Sequence, residues 1–177
     1  MTNAEIAILS LIAERPRHGY EIEGVIEERG MRDWTEVGFS SIYYLLKKLE
    51  GEGYIKARLE KPQGRGPARK VYHITQAGRE AWYAASLGAL SEPHNCYPLI
   101  QLGLANMPGL PKQEAMDALR QYKDRLVERR EYVRSRAEAQ RPMPGHVEAM
   151  FDFSLTMIEA ERKWISRFIK QLEALND

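Results

Sequence analysis

Gly38-Phe39-Ser40-Ser41-Ile42-Tyr43-Tyr44-Leu45-Leu46-Lys47-Lys48-Leu49-Glu50-Gly51-Glu52-Gly53 leads into Tyr54-Ile55-Lys56-Ala57-Arg58-Leu59-Glu60, then Lys61-Pro62-Gln63-Gly64-Arg65-Gly66-Pro67-Ala68-Arg69-Lys70 and Val71-Tyr72-His73-Ile74. Ile42, Leu45, Leu46 and Leu49 recur at i, i+3, i+4 and i+7, one apolar stripe of a helix beginning near Ser40. At 100° per residue the opposite face holds Ser40, Tyr44, Lys47 and Lys48, with Ser41 and Tyr43 on its flanks. Tyr54–Glu60 alternates, Ile55, Ala57 and Leu59 on one side and Lys56, Arg58 and Glu60 on the other, which is the pattern of a half-buried strand. Val71–Ile74 is its expected partner across a basic, Gly/Pro-rich loop. A helix followed directly by a hairpin with a basic tip is the layout of a winged helix-turn-helix. Such a module sets one helix in a DNA groove and its hairpin tip on the flanking backbone.

Charge supports this through its distribution, not its total. Residues 56–70 hold Lys56, Arg58, Lys61, Arg65, Arg69 and Lys70 against the single acid Glu60, a local +5, whereas all 177 residues together carry +1. Concentrated positive charge on a loop suits phosphate contact, although such a run also occurs as a plain solvated tip. Hydrophobic content of 44% with 29% charged residues fits a folded globular chain. The one cysteine, Cys96, excludes an intramolecular disulfide and fits a cytoplasmic location. Ile6–Ala13 is too short to span a bilayer and follows Glu5, so it reads as a buried helix.

Outward from the central stretch, Thr2-Asn3-Ala4-Glu5 has capping-box spacing and starts a helix that runs to about Glu14, broken by Arg15-Pro16-Arg17. A second helix covers roughly Gly19–Arg29 and stops at Gly30. Thr75 is the expected N-cap of a helix reaching about Leu90. Pro93 marks a change of composition, so two domains are expected: residues 1–90 as a winged helix with a linking helix, and 91–177 as a helical dimerisation domain that is also a possible effector domain. In the second, Pro111 opens a long helix to about Ala139 with Leu119, Leu126 and Val133 seven apart. The last helix, about His146–Leu175, places Phe151, Ile158, Ile165 and Leu172 at strict heptad spacing, with Met150, Met157 and Trp164 one position earlier. That apolar face is wider than one antiparallel neighbour covers, so those four residues are expected to meet a second copy of the chain. The fold class is therefore mainly α with a small β-hairpin.

His18-Gly19-Tyr20-Glu21, Ser40-Ser41-Ile42-Tyr43-Tyr44-Leu45-Leu46-Lys47-Lys48-Leu49-Glu50, Gly53-Tyr54-Ile55 and Gly66-Pro67-Ala68-Arg69-Lys70-Val71-Tyr72-His73-Ile74-Thr75-Gln76-Ala77-Gly78-Arg79 closely resemble the PadR-like transcriptional regulators. The resemblance covers most of residues 4–82. It implies an N-terminal winged helix that reads operator DNA, a C-terminal helical domain that holds a homodimer, and commonly a repressor released by a small aromatic compound. One departure is visible: Ala68 interrupts the compact Gly-Arg-Pro-Arg core that family wings often carry.

The expected DNA contacts are Tyr20, Ser40, Ser41, Tyr43, Tyr44, Lys47, Lys48, Arg65, Arg69 and Lys70. Hydroxyls and free N–H groups at a helix start can hold a phosphate, though Ser40 equally serves as an N-cap. Tyrosines can bond phosphate or touch a thymine methyl, and either can be core instead. Tyr20 is read equally as a phosphate contact or as packing. Trp82, Tyr97, Trp164 and Phe168 are candidate effector-binding aromatics, a spacing that also suits core. His94 and Cys96 stand two apart with no third orienting group, so neither catalysis nor a metal site is expected, and no cofactor. Gly64-x-Gly66 lacks the context of a dinucleotide fingerprint. A winged helix used only for protein interaction is the alternative, and it calls for a neutral wing that this chain lacks.

Overall fold

The computed structural model describes residues 1–35, 37–38, 41–61, 68–93 and 97–174. Ser40, Arg65, the wing tip at 62–67 and the His94/Cys96 pair lie outside the described residues. The chain divides into two compact units, Met1–Cys96 and Tyr97–Asp177.

The first unit opens with α1 (Asn3–Glu14). Its N-terminus is closed reciprocally: the Glu5 N–H donates to Thr2 Oγ1 at 3.3 Å, and the Thr2 N–H donates to Glu5 Oε2 at 2.8 Å. Ile8, Leu9, Leu11 and Ile12 are all essentially inaccessible, because α1 is covered on several sides by α3, α4 and β3, defined below. After Pro16 comes a strand too short for any periodicity to announce, β1 (Arg17–His18). The Arg17 guanidinium is buried; its Nε–H donates to the Leu11 carbonyl at 2.9 Å, one of the acceptors α1 leaves open at its end, and its Nη2 donates to Glu14 Oε2 at 2.7 Å.

α2 (Gly19–Glu28) follows at once, α3 (Ser41–Gly51) after a 3-10 turn at Met31–Asp33, then β2 (Ile55–Glu60), β3 (Arg69–Ile74) and α4 (Gln76–Ser91). The antiparallel sheet has the order β1-β3-β2, with Arg17 opposite Tyr72, Ile55 opposite Ile74 and Glu60 opposite Arg69. The expected stripe of α3 is buried as a set, Ile42, Leu45, Leu46 and Leu49 joining Ile22, Ile26 and Ile55 in one core. Alternation in β2 holds only near its base: Ile55 is buried, whereas Leu59 is 78% exposed where the strand leaves the core. The Thr75 hydroxyl caps α4 by accepting the Gly78 N–H at 3.0 Å.

The second unit consists of α5 (Leu99–Asn106), α6 (Lys112–Ala139) and α7 (Gly145–Ala174). Arg120 reaches Glu173 at 2.9 Å and Arg130 reaches Glu159 at 3.6 Å, the order of contacts an antiparallel pair makes. Met116, Leu119 and Leu126 of α6 pack against Ile158, Ile165 and Ile169 of α7. Two of the four residues expected at a dimer surface, Ile158 and Ile165, are therefore already covered by α6. Ile165 is fully buried and Ile158 nearly so inside the single chain, with Phe151 and Leu172 half-buried. A heptad marks a face, not its neighbour, and here α6 covers it. The apolar side chains α7 leaves open are Met150, Phe153 and Met157.

Candidate nucleic-acid interface

The exposed side of the first unit is assembled from four places. α3 contributes Tyr43, Tyr44 and Lys47, all open to solvent, with Ser41 half-buried and its hydroxyl donating to the Gly38 carbonyl at 2.7 Å. The start of α2 contributes Tyr20, 76% exposed. β1 contributes His18 and β3 contributes Arg69 and Lys70. Together His18, Gly19, Tyr20, Tyr43, Arg69, Lys70 and Tyr72 line an open groove of about 530 Å³. Gly19 is required there for space: a Cβ at that position would lie 2.7 Å from Cε1 of Tyr43. The Tyr43 ring can therefore lie across the helix entrance and still present its edge outward.

His18 is the residue the sequence reading passed over. Its Nδ1 accepts the Glu21 N–H at 3.1 Å while Glu21 Oε2 accepts the His18 N–H at 3.1 Å, a capping box with an imidazole in place of a hydroxyl. With Nδ1 accepting, the neutral ring carries its proton on Nε2. That nitrogen sits 3.3 Å from Arg69 Nη1 and 3.5 Å from Glu21 Oε2. An imidazole and a guanidinium thus meet at the mouth of the groove. The legible signal was a His immediately before Gly-Tyr-Glu, three residues ahead of a glutamate.

Two expected cations are already engaged. Lys70 Nζ donates to Glu50 Oε2 at 2.8 Å and lies 5.3 Å from the Tyr72 ring centre. That bond holds the Glu50 carboxyl below its ordinary range and raises the Lys70 ammonium. Lys48, expected on the open face, is half-buried and bonds Glu5 of α1, with Glu52 3.8 Å away. Lys47 shows no ion pair among the described residues and is the free cation of α3. Lys56 and Arg58 extend the positive surface along β2. Hydrogen bonds to Lys48 and to Thr2 hold the Glu5 carboxyl below its ordinary range despite burial.

The four candidate effector aromatics fall in both units. Trp82 belongs to the first, its indole N–H donating to Ser10 Oγ at 3.1 Å. Trp164 and Phe168 are stacked with ring centres 5.3 Å apart, packed against the core of the second, and Tyr97 is 81% exposed. Among the described residues no group of three or more His, Cys, Asp or Glu is placed to hold a metal ion. None of the described helices is long and apolar enough to cross a membrane.

A helix with an open Tyr-Tyr-Lys face beside a two-stranded ribbon with cationic edges defines the first unit as a winged helix-turn-helix. Residues 8–84, which lie within this unit, match the model of the transcriptional regulator PadR-like family. No curated protein matches. Among solved structures, Bacillus subtilis PadR in complex with operator DNA is similar with a TM-score of 0.73 at 22% identity, over 95% of this chain and 98% of that one. The same protein in complex with p-coumaric acid gives 0.72 at 21%, over 96% and 98%. A PadR-like transcriptional regulator from Bacillus cereus gives 0.68 at 20%, over 97% and 98%. At these identities the likeness is one of fold, and it extends through both units.

Proposed function

We propose that the protein is a homodimeric, DNA-binding transcriptional repressor that reads an inverted-repeat operator. The observation that carries this reading is the joint exposure of Tyr44 and Lys47 on α3 beside the groove where His18 and Arg69 meet. A backbone phosphate oxygen would meet the Arg69 guanidinium there, while Tyr44 and Lys47 would reach base edges. Tyr20, Tyr43 and Ser41 border the same surface, and Arg65, by sequence alone, extends it into the wing. Lys70 stands beside it already paired, so it contributes less than Arg69. Two copies related by a two-fold axis would present their α3 helices to half-sites about 34 Å apart. The open Met150, Phe153 and Met157 of α7 support the second copy, in place of Ile158 and Ile165.

Selection from a random DNA pool tests the reading. An inverted repeat should emerge. On that site, Tyr44→Ala with Lys47→Ala should lose about 1–3 kcal/mol and most of the preference over random DNA. Arg69→Ala should weaken all DNA alike and reduce the salt slope by about one. A pool that yields no enriched sequence overturns operator recognition. For an effector, the p-coumaric acid complex of Bacillus subtilis PadR supports a small aromatic compound. Trp164, Phe168 and Tyr97 are the side chains of the second unit proposed to meet it, and Trp82 is the candidate in the first. Such a compound should quench tryptophan fluorescence and release DNA together, and Trp164→Ala should lose both responses.

A further inference from the structure

We propose that Glu5 is a positioning residue for DNA recognition, fixing through Lys48 the rotation of α3 and hence where Tyr44 and Lys47 point; this rests on the DNA-binding reading above. The Glu5 carboxylate is itself held in place. One oxygen, Oε2, accepts the Thr2 N–H at 2.8 Å, and the side chain is nearly inaccessible at 4% exposure for the residue. Its other oxygen, Oε1, takes the ammonium of Lys48, 43 residues away on α3. The capping box of α1 therefore does a second job: it presents a charge at a fixed point to the neighbouring helix. The rest of the seam belongs to the apolar core, with Ile8, Leu9, Ile42 and Leu46 among its members.

Apolar packing holds two helices together without strongly opposing a small rotation about one axis, whereas a charge-assisted hydrogen bond is directional. A turn of about 10° moves a side chain some 5 Å from the helix axis by about 1 Å. That exceeds the roughly 0.5 Å within which a recognition group must be held. Tyr44 lies one turn before Lys48 and Lys47 directly precedes it, so both swing with the same rotation. Half-buried ion pairs are best known for selecting one arrangement over its neighbours, not for stability, and this one stands where such selection changes what a groove-facing helix reads.

The competing role for Lys48 is direct contact with phosphate, and two variants separate the roles. Glu5→Gln keeps an acceptor for Thr2 and removes the charge; Lys48→Met keeps the aliphatic stem. With the full-length protein and its selected operator, each single variant should reduce the preference for operator over random DNA about tenfold, the size of roughly one lost base contact. The dependence of affinity on salt should not change, and the double variant should be no worse than either single one. Lys48→Arg should retain the wild-type preference, and circular dichroism should show all four variants folded. A Lys48→Met protein whose salt slope falls by about one while preference is kept makes Lys48 a phosphate contact and overturns the proposal. Unchanged preference in Glu5→Gln overturns it equally. A wild-type protein that prefers no DNA sequence defeats the recognition reading itself, and the positioning role goes with it.

Discussion

The two units bury their apolar residues differently. In the first, fifteen of the described hydrophobic residues, drawn from three helices, the segment between α2 and α3 and two strands, form one cluster, most of them inaccessible. In the second, six buried residues from two helices make a single seam, and Met150, Phe153 and Met157 on α7 with Leu99 and Leu102 on α5 stay open. A core closed on all sides holds its helices in place, and a directional bond such as Lys48 to Glu5 sets the remaining rotation of side chains that must meet a rigid partner within a fraction of an ångström. A seam between two long helices leaves each with an uncovered flank, and an apolar flank is a place for another surface.

The sharpest way to break that contrast is to place a charge on each face of α7. Ile165→Asp puts a carboxylate between α6 and α7 with no partner and should cost at least about 4 kcal/mol, enough to lose the helical signal of the second unit. Phe153→Asp on the open flank should leave circular dichroism unchanged and shift the protein towards monomer in sedimentation. Equal unfolding by both would mean that the flank is not open. A second test moves to the closed core. At Gly78 a Cβ would lie 1.9 Å from the Tyr54 carbonyl oxygen, a backbone atom that cannot step aside. Gly78→Ala should cost about 3 kcal/mol in thermal unfolding, whereas Gly103→Ala, with nothing within 4 Å, should be neutral or slightly stabilising.

Much of the first unit was legible because its signals are local. The Thr2 and Thr75 caps, the α3 stripe and the end of α2 near Gly30 each lie within one turn of the residues that announce them. What the sequence hid was pairing at a distance. β1 is two residues long and exists because β3, more than fifty residues later, offers it an edge. Lys48 has the spacing of an open face, yet a carboxylate 43 residues earlier draws it inward. The heptad of α7 marked a face that α6 covers at Ile158 and Ile165, since periodicity cannot say whether α6 or a second copy will meet it. For the same reason His18 went unseen: its Nδ1 caps α2 locally, but its partner Arg69 is 51 residues away.

A smaller effect is expected at the groove. Gly19→Ala should displace the Tyr43 ring without disturbing the core, because the atom in the way belongs to a surface side chain. Affinity for the selected operator should fall by about 1 kcal/mol, with the melting temperature nearly unchanged. An equal drop in random-DNA binding would assign Tyr43 to phosphate and not to base edges.

The last contrast is electrostatic. In the first unit the Glu14 carboxyl is held below its ordinary value near 4.5 chiefly by its hydrogen bonds to Arg29, and Glu5 likewise by Lys48. A carboxylate whose folded pKa is depressed adds stability that is complete above its unfolded value and is lost as pH falls through the folded one. The first unit should therefore weaken steadily with acid below about pH 4.5. In the second unit Glu159 and Glu131 are also lowered, by Arg162 and Arg130; these pairs, like Glu14 with Arg29, lie open to solvent where salt screens them, whereas the Glu5 side chain is nearly inaccessible. Variants keeping only Trp82 or only Trp164 report the two units separately by fluorescence. Glu14→Gln should flatten the acid dependence of the Trp82 signal and leave the Trp164 signal alone. Added salt should flatten the Trp164 dependence more than that of Trp82. Identical pH and salt responses at the two tryptophans would show that the paired carboxylates do not distinguish the units.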